Sequence, residues 1–580
     1  MKEFHGISAS PGIAIGRVFL YLEDSMAVPK YTINKDSFST EIERYQEAIT
    51  KATSDLTELK ERLSIEMEEK NSRILDSHLL MLSDSMFTEQ VYLRMKTDLV
   101  NVEAALKSVI EDLVNKLNAS QDIYLKERSV DIYDVAKRVI NHLMFRERVN
   151  LADISTEVII VSQNLMPSDT LIMNKRMVQG IALDSGGRTS HTAILAKSFE
   201  IPAVLGLRDL TQHINTNDLI IVDGHHGKVI INPDEDTKNL YEKMLLDYQK
   251  RESELLNMNK LAAETKDGKL IKLNANIEIP EEVDSVLVHG ADGIGLYRSE
   301  FLFMQPGRVP TEDEQFEAYK TVLESMDGKP VTIRTLDVGG DKFIPSINNL
   351  AENNPLLGWR AIRFCIEHKD FFKIQLRALL RASVFGNLNI MFPMISGVEE
   401  LDKALDILEE TKKDLSAEKI NYIQKIPVGI MIEVPSAALT SDILAKKVNF
   451  FSIGTNDLIQ YTIAVDRGNE KIAGLYEPFH PGVLRLIRMV IDNAHAQGLS
   501  VSMCGEMAGD VYSSIILLGL GLDVYSMSAI SIPEIKRIIR SVSMIDAEEL
   551  VGTIMSMKSF GDIDLYVKNW MEEKFDIIKY

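Results

Sequence analysis

The sequence predicts a multidomain α/β protein, in which an N-terminal α/β domain with an inserted α-helical bundle is followed by a helical linker and a C-terminal (β/α)8 TIM barrel. Three observations predict this organisation. No glycine occurs between Gly16 and Gly180, and no proline occurs between Pro29 and Pro167. Short β-branched runs flank that stretch. From about Lys269 onward, strand-like runs alternate repeatedly with helical patterns.

Composition narrows the class of protein further. The chain has 580 residues, a formal net charge of −22 and 45% hydrophobic residues, which is typical of soluble globular proteins. The acidic balance argues against nucleic acid as the main partner. No apolar stretch approaches the roughly 20 residues that span a bilayer, and the polar N-terminus lacks the apolar core of a signal peptide. Cys365 and Cys504 are the only cysteines and cannot form a disulfide framework, so we expect a reducing, cytoplasmic environment. The short apolar stretches predict no membrane insertion.

The glycine-free stretch predicts helices, because Gly and Pro are the residues that break them. Thr40 and Glu43 have the spacing of a capping box, which predicts a helix start. We therefore expect a helical bundle over residues 35–148. Apolar side chains at spacings of three and four predict one face of its first helix: Ile42, Tyr45, Ile49, Ala52, Leu56, Leu59 and Leu63.

On either side of this block, residues 1–34 and 149–233 carry short strand-like runs, which predict one α/β domain into which the bundle is inserted. The clearest runs are Val158–Val161, Ile181–Leu183 and Leu219–Val222. Residues 234–260 are charged and free of glycine, with apolar residues at helical spacing, and predict the helical linker.

Residues 261–580 predict the barrel, because eight candidate strands alternate with helical stretches. In such a barrel the active site lies at the carboxyl ends of the strands. The candidate strands are Ile271–Ile277, Gly293–Leu296, Val331–Leu336, Leu388–Phe392, Val428–Ile432, Phe450–Ile453, Ser500–Met503 and Val524–Met527.

The predicted strand ends carry side chains for binding a small anion with several charges. Arginine guanidinium groups form bidentate hydrogen bonds with phosphate and carboxylate groups. The carboxylates Glu433 and Asp457 can hold one Mg²⁺. A lone Arg or Asp is more often a salt-bridge residue. Five strand ends with the same chemistry favour a site instead. The other candidates at these ends and in nearby loops are Arg298, Arg334, Arg360, Asn456 and Arg467.

Cys504 follows the seventh predicted strand and precedes Gly505 and Glu506. A single cysteine is most often a small buried apolar residue. Its place at a strand end of the barrel favours a chemical role, as an acid or a nucleophile.

A second candidate site is the glycine-rich turn from Asp184 to Lys197, in which a strand is followed by a helix that begins near His191. Backbone N–H groups at such a helix start bind anions, so a histidine there could carry a phosphoryl group. A histidine that only caps or packs the helix is an equal alternative on spacing alone. Neither of the common nucleotide-binding glycine motifs is present.

Segments along nearly the whole chain resemble signatures of the enzymes that use phosphoenolpyruvate (PEP), and within them the enzyme I family of the bacterial PEP:sugar phosphotransferase system. GGRTSHTAILAKSFEIPAVLG resembles their phosphohistidine signature, with Lys197 where many relatives have arginine. The run Asn449–Leu458 resembles their second signature, with Asn449 replacing the usual Asp. Further matching segments are SASPGIAIG, YLKER, GLYRSEFLFM, RTLDVGGDK, GWRAIR, QYTIAVDRGN, MCGEMAGD and SMSAISIPEI.

The resemblance implies an activity and a role for each candidate residue. His191 would take the phosphoryl group of PEP in the presence of Mg²⁺, with release of pyruvate, and would pass it to a histidine of the phosphocarrier protein HPr in the first step of sugar uptake. Cys504 would protonate enolpyruvate, and the barrel would form a homodimer. The remaining implied roles are support of His191 by Thr170 and Asp184, PEP binding by Arg298, Arg334, Arg360, Asn456 and Arg467, Mg²⁺ binding by Glu433 and Asp457, and HPr docking by the helical block with His78 and Arg128.

Two alternatives remain. A pyruvate-phosphate dikinase or PEP synthase shares both signatures but also needs a nucleotide-binding domain, for which the mostly helical stretch before His191 leaves no room. A non-enzymatic relative would be expected to lack His191, an arginine, a metal ligand or Cys504, and all of these are present. A nitrogen-branch enzyme I usually carries an extra N-terminal domain, so the start at SASPG favours the sugar branch.

Overall fold

The computed structural model describes residues 1–21, 28–34, 37–66, 78–79, 81–83, 85–118, 123–144, 151, 154–165, 173, 177–187, 191–303, 309–338, 354–466, 469 and 472–575. The chain divides into two compact units, Met1–Tyr248 and Gln249–Lys579. Within the described ranges, no helix has both the length and the apolar character needed to span a membrane.

The N-terminal unit contains a mixed eight-stranded sheet, whose strands are β1 (Lys2–His5), β2 (Ile7–Ser10), β3 (Ile13–Tyr21), β4 (Val158–Ser162), β5 (Val178–Leu183), β6 (Ala203–Leu205), β7 (Leu219–Asp223) and β8 (Lys228–Ile231). Their spatial order is β1-β8-β7-β3-β4-β5-β6-β2. The pairs from β3 to β6 are parallel, and the remaining pairs are antiparallel. Apolar residues fill both faces of the sheet, as the continuous β-branched runs predict.

Between β3 and β4 the chain forms the helices α1 (Phe38–Glu66), α2 (Ser85–Asp98), α3 (Val102–Asn118) and α4 (Ile123–Leu143). Tyr45, Ala52 and Leu56 are fully buried in their shared core, so the predicted apolar face is confirmed at these positions. The predicted capping box is wrong, because α1 begins at Phe38 and Thr40 already lies inside the helix.

Two further helices of the N-terminal half are α5 (His191–Ser198) and α6 (Glu235–Leu256), the second of which lies in the predicted linker. The Asp234 carboxylate caps α6 by accepting a hydrogen bond of 2.9 Å from the Thr237 N–H. Tyr241 of α6 is buried against Ile13, Ile221 and Ile230 of the sheet. The first half of α6 is therefore part of the N-terminal core.

The second unit is a closed eight-stranded parallel barrel. A short strand, β9 (Ala263–Glu264), precedes it, and the barrel strands are β10 (Leu270–Ile277), β11 (Gly293–Arg298), β12 (Pro330–Arg334), β13 (Asn387–Phe392), β14 (Val428–Ile432), β15 (Phe450–Ile453), β16 (Ser500–Met503) and β17 (Val524–Met527). They follow one another in chain order, and β10 pairs with both β17 and β11 to close the barrel. All eight predicted strands are confirmed, although β12 ends at Arg334 and not at Leu336.

Apolar residues between the strands and the surrounding helices form one large core. The helices are α7 (Val283–Val288), α8 (Glu300–Phe303), α9 (Glu312–Ser325), α10 (Ala361–Glu367), α11 (Lys369–Ala382), α12 (Val398–Ala417), α13 (Pro435–Leu439), α14 (Ser441–Leu444), α15 (Thr455–Ile463), α16 (Pro481–Ala496), α17 (Val511–Gly519), α18 (Ile532–Arg540), α19 (Met544–Ile554) and α20 (Phe560–Lys574).

Candidate active site at the barrel mouth

The carboxyl ends of the barrel strands bring the predicted polar residues to one mouth. Arg298 and Arg334 are the last residues of β11 and β12, and Glu433 follows β14. Asp457 lies in the first turn of α15, directly after β15, and Cys504 follows β16. Because parallel barrel strands all end on the same face, the fold itself gathers these side chains.

Arg334 and Arg360 share one carboxylate, Asp337. Arg334 contacts Asp337 at 2.8 Å, and Arg360 contacts the other Asp337 oxygen at 2.7 Å. Glu300 also accepts a hydrogen bond of 2.8 Å from Arg334. Burial would raise the pKa of Asp337, but the two guanidinium groups outweigh it and hold that pKa below its usual value. The pair of arginines is thereby held rigidly in a largely buried place.

Arg298 lies at the rim of this mouth. Its side chain is about a third exposed and forms an ion pair with Glu278. Arg360 is followed by Ala361, whose φ of +54° is unusual for a residue with a Cβ. Strained backbone of this kind persists where the surrounding structure enforces it, often beside functional residues.

Three carboxylates, Asp337, Glu433 and Asp457, each place one oxygen within 4.8 Å of the others. Glu433 is buried, and its Oε1 accepts a hydrogen bond of 2.6 Å from the Met394 N–H. Burial, together with the charges of Asp337 and Asp457, raises the pKa of Glu433 to about 8. Anionic oxygens at this spacing are the ligands that a hard divalent cation prefers. The donor set therefore fits the Mg²⁺ that the sequence predicts.

Cys504 is almost fully buried among the interior side chains Leu296, Met391 and Met431. The Ser452 hydroxyl donates a hydrogen bond of 3.3 Å to its sulfur. Burial raises the pKa of the Cys504 thiol, although the Ser452 hydrogen bond and the Arg334 charge oppose that effect. The thiol is thus kept protonated near neutral pH, which suits a proton donor and not a thiolate nucleophile.

Asn456 joins the loops after β15 and β16. Its Oδ1 accepts a hydrogen bond of 3.0 Å from the Glu506 N–H, and its Nδ2 donates to the Glu506 carboxylate at 3.4 Å. Arg360 lies 3.7 Å from Asp457 on the same side. Six of the predicted barrel residues, from Arg298 to Cys504, therefore surround one polar mouth, with Asn456 on its edge.

In the N-terminal unit, β5 leads into the glycine-rich turn and α5 begins at His191. Gly186 has a φ of +105°, which a residue with a side chain rarely adopts. The Asp184 carboxylate accepts hydrogen bonds from the Thr211 hydroxyl at 2.5 Å and from the Thr211 N–H at 3.2 Å. Asp184 therefore fixes the start of the turn that precedes the predicted phosphohistidine.

Some predicted site residues lie outside the described part of the chain. Thr170 and Arg467 are among these, as are the side chains of His191 and Arg128, whose backbones belong to α5 and α4. His78 is fully buried, with its Nδ1 3.9 Å from an Asp134 oxygen. Direct contact of His78 with a partner would need an exposure that this structure does not show, and its docking role stays a prediction.

Sequence reasoning assigned no role to Asp337, Glu300 or Glu278, which hold the arginines. Asp337 stands in the quoted segment RTLDVGGDK directly beyond β12, so its position was a usable signal. Glu300 stands in the quoted segment GLYRSEFLFM, whereas Glu278 stands in none of the quoted segments. The parallel pairing of neighbouring strands places Glu278 against Arg298 and Glu300 against Arg334.

The chain matches three families of PEP-utilising enzymes. Residues 5–128 match the PEP-utilising enzyme N-terminal family, residues 154–227 the PEP-utilising enzyme mobile domain and residues 252–544 the PEP-utilising enzyme PEP-binding domain.

Similar curated proteins extend over almost the whole chain. A phosphoenolpyruvate-protein phosphotransferase of Priestia megaterium is 46% identical over 98% of this chain and 99% of its own. Proteins of the same name from Bacillus subtilis (strain 168) and Haemophilus influenzae are 46% and 42% identical, each over 98% of this chain and 99% of its own.

The chain therefore belongs to the PEP-utilising enzyme family, and within that family it groups with phosphotransferases. The sequence-based prediction of a PEP-utilising phosphotransferase is confirmed at this level.

Proposed function

We propose that this enzyme transfers the phosphoryl group of PEP to its own His191, releases pyruvate, and then transfers the phosphoryl group to a histidine of HPr in the first step of sugar uptake. The observation that carries the proposal is the barrel mouth, where arginines, crowded carboxylates and a protonated thiol meet. That combination matches a substrate with a phosphate, a carboxylate and a carbon that must gain a proton.

The arginines bind the two anionic groups of PEP. Arg334 and Arg360 are held at fixed separation by Asp337, and Arg298 and Arg467 complete the set. A guanidinium fork already fixed by a carboxylate loses little freedom when the substrate arrives. Phosphoryl transfer depends mainly on such positioning and on charge neutralisation.

Glu433 and Asp457 would hold Mg²⁺, with the Asp337 carboxylate beside them. When bound, the cation would offset the negative charge on the phosphoryl oxygens. Burial first, and then the charges of Asp337 and Asp457, raise the pKa of Glu433, and a bound cation would offset both effects.

The phosphorus–oxygen bond of PEP breaks as the bond between phosphorus and a ring nitrogen of His191 forms, and enolpyruvate remains in the barrel. Cys504 then gives its thiol proton to the methylene carbon of enolpyruvate, and the sulfur keeps the electron pair. The Ser452 hydroxyl stabilises the resulting thiolate through its hydrogen bond. Solvent returns the proton to the sulfur after pyruvate leaves, so the step balances.

His191 belongs to the N-terminal unit and the PEP-binding residues belong to the other. One imidazole cannot receive the phosphoryl group from PEP and donate it to HPr in the same arrangement. The proposal therefore includes a swivel of the two units about the connector, between a PEP-reactive and an HPr-reactive arrangement. The helical block, with Arg128 and the region of His78, would dock HPr.

Two further expectations rest on the resemblance to the enzyme I family. We propose that the barrel half forms a homodimer and that the protein acts in the cytoplasm. Sedimentation of the full chain with PEP and Mg²⁺ tests the first, and a monomer at micromolar concentration would contradict it.

The proposed reaction is tested by mixing the full chain with PEP and Mg²⁺ without any nucleotide, with and without purified HPr. We expect pyruvate equal to the enzyme in amount without HPr, and continued pyruvate formation with it. A variant of HPr without its acceptor histidine is the control. A requirement for nucleotide would instead favour a dikinase or synthase, and no pyruvate under any of these conditions would overturn the proposal.

A further inference from the structure

We propose that Asn276 is a positioning residue for Cys504: its side-chain amide fixes the main chain of Cys504 at the barrel mouth and so aims the thiol at the substrate carbon. The inference rests on the proposed role of Cys504 as the acid. It concerns a residue near the end of β10, the strand that lies between β17 and the arginine-bearing β11.

An irregularity in the pairing of β10 with β11 lies directly beside Asn276. The pairing of β10 with β11 runs in register up to Ala275 and shifts between Ala275 and Asn276. Bulges re-aim side chains and occur often beside active sites. Here the extra residue is Gly295 of β11, because Ala275 lies opposite Ile294 and Asn276 lies opposite Leu296. The half-buried Asn276 amide beside it hydrogen-bonds the carbonyls of Cys504 and Ser526, after β16 and in β17.

The Asn276 amide holds the peptide group that follows the Cys504 side chain. Its Nδ2 donates hydrogen bonds to the Cys504 carbonyl at 3.0 Å and to the Ser526 carbonyl at 3.2 Å. On the other side, the Cys504 N–H donates to the Ile453 carbonyl at 3.1 Å. The Cys504 backbone is therefore tied both to β15 and to β10.

The hydrogen bond from Asn276 to Cys504 lies just beyond the point where the pairing of β16 with β17 ends. The pairing of β16 with β17 ends at Met503 and Tyr525, one residue before Cys504. A residue just past the end of a ladder has lost the regular hydrogen bonds that fix a strand. The Cys504 N–H keeps its bond to β15, and the Asn276 side chain supplies a hydrogen bond on the side where the ladder with β17 has ended.

Hydrogen bonds at both its nitrogen and its oxygen orient the Asn276 side-chain amide. The buried Ser526 hydroxyl donates to the Asn276 Oδ1 at 2.6 Å. A Cβ at Gly295 would come within 2.3 Å of the Ser526 hydroxyl oxygen, so the glycine leaves room for this hydroxyl. With both N–H groups and the carbonyl of the amide engaged, Asn276 has a structural partner for each of its polar atoms and is not placed to bind substrate.

A misplacement of about 1 Å at a reacting group can slow a reaction about a hundredfold. We therefore compare the wild type with Asn276→Ala and with Asn276→Asp, which keeps the shape of the side chain but removes the donor. We expect kcat for pyruvate formation to fall about tenfold or more, with the KM for PEP changed less than about twofold. In a Cys504→Ser background, Asn276→Ala should cause no further fall, because the group that it positions is gone.

Asn389→Ala is the matched control. Asn389 is also a half-buried asparagine on a barrel strand, but its amide hydrogen-bonds Thr332 on a neighbouring strand. We expect this variant to keep wild-type kcat. Thermal unfolding of every variant shows whether it folds, and Asn276→Asp carries the test if Asn276→Ala does not fold.

A second readout needs neither PEP nor Mg²⁺. The rate at which iodoacetamide alkylates Cys504, mapped by mass spectrometry apart from the buried Cys365, should rise about threefold or more in Asn276→Ala, because a loosened Cys504 is exposed more often. Unchanged alkylation together with unchanged kcat would overturn the proposal, as would an equal fall of kcat in the Cys504→Ser background. If the wild type itself forms no pyruvate, the proposed function fails, and the alkylation rates alone decide whether Asn276 positions Cys504.

Discussion

Asp337 contacts two arginines and lies close to the other two carboxylates of the barrel mouth. It pairs with Arg334 and Arg360, and it also lies among the carboxylates that would hold a cation. One side chain would thus fix the groups proposed to bind the anion relative to the groups proposed to bind the cation. The pKa of Glu433 is raised as a result, because Glu433 is buried and its charge would be added to those of Asp337 and Asp457.

The pH dependence of cation binding follows from Glu433. Its pKa is raised from an ordinary value of 4.5 to about 8, so the folded protein holds a proton that the unfolded chain would release. The stability from this proton is fully present below the unfolded pKa and is lost as the pH rises through about 8. A cation needs the deprotonated carboxylate and competes with the proton. We expect the increase in Tm on adding Mg²⁺ to be small near pH 6 and to grow toward pH 9.

Glu433→Gln is the control for this prediction, because glutamine has no titrating proton in this range. In that variant the effect of Mg²⁺ on Tm should be weak at every pH. A wild-type Tm that responds to Mg²⁺ equally at about pH 6 and about pH 9 would contradict the raised pKa as the cause.

Replacement of Cys504 by serine tests the proton donor. A serine hydroxyl is a much weaker acid than a thiol, so pyruvate formation should slow about a hundredfold or more while PEP binding stays near wild type. Stopped-flow pyruvate formation and PEP titration by calorimetry measure the two effects separately. Near-normal turnover with lowered Tm would instead assign Cys504 a packing role with Leu296, Met391 and Met431.

At the scale of elements, the segments that follow β15 and β16 pack closely against each other where Thr455 approaches Gly505. A Cβ there would lie 1.8 Å from the Thr455 Oγ1 and 2.8 Å from the Thr455 N. Gly505→Ala must therefore push apart the segments after β15 and β16, and we expect it to lower the free energy of unfolding by about 1–3 kcal/mol. Because Cys504 is the adjacent residue, kcat should fall as well.

Gly552→Ala provides the comparison. Gly552 lies in α19, and an added Cβ would meet nothing within 4 Å. This substitution should stabilise the protein slightly, by up to about 1 kcal/mol, because alanine favours helix. Chemical denaturation of both variants decides the matter, and equal stability changes would show that the contact at Thr455 does not matter.

The sequence predicts elements well where burial alone defines them. All eight barrel strands were predicted, because short runs with buried apolar residues alternate regularly with helical patterns along the second half of the chain. The start of α1 was wrong, because Thr40 and Glu43 fit a capping motif but the chain enters the helix at Phe38. The roles of Glu278 and Glu300 stayed hidden because their ion pairs depend on which side chains meet between two neighbouring strands, and spacing along the chain does not show that.

At the scale of the whole molecule, the two units should separate into folded fragments. The first contains its own sheet and helical cores, and the second contains the barrel core. A fragment of residues 1–248 should accept a phosphoryl group from phosphorylated HPr but not from PEP, because the residues that we propose to bind PEP lie in the barrel. The isolated barrel should bind PEP with Mg²⁺ and phosphorylate nothing.

The end point of the first fragment matters. Tyr241, Met244 and Leu245 pack on the sheet, and the Tyr241 hydroxyl donates to the Asp223 carboxylate at 3.1 Å. A fragment that stops at Leu240 should therefore melt at a lower temperature than one that stops at Tyr248. Equal Tm values would show that the first half of α6 adds nothing to the N-terminal core, and a 1–248 fragment that reacts with PEP would place the chemistry outside the barrel.

The most direct test of the account is the position of the phosphoryl group after reaction with PEP. The full chain is incubated with PEP labelled in its phosphate, together with Mg²⁺ and without nucleotide, and the label is mapped under alkaline conditions that preserve phosphohistidine. We predict one acid-labile label on His191 and none on a His191→Ala variant that remains folded. Label on another residue, or label retained by His191→Ala, would contradict it.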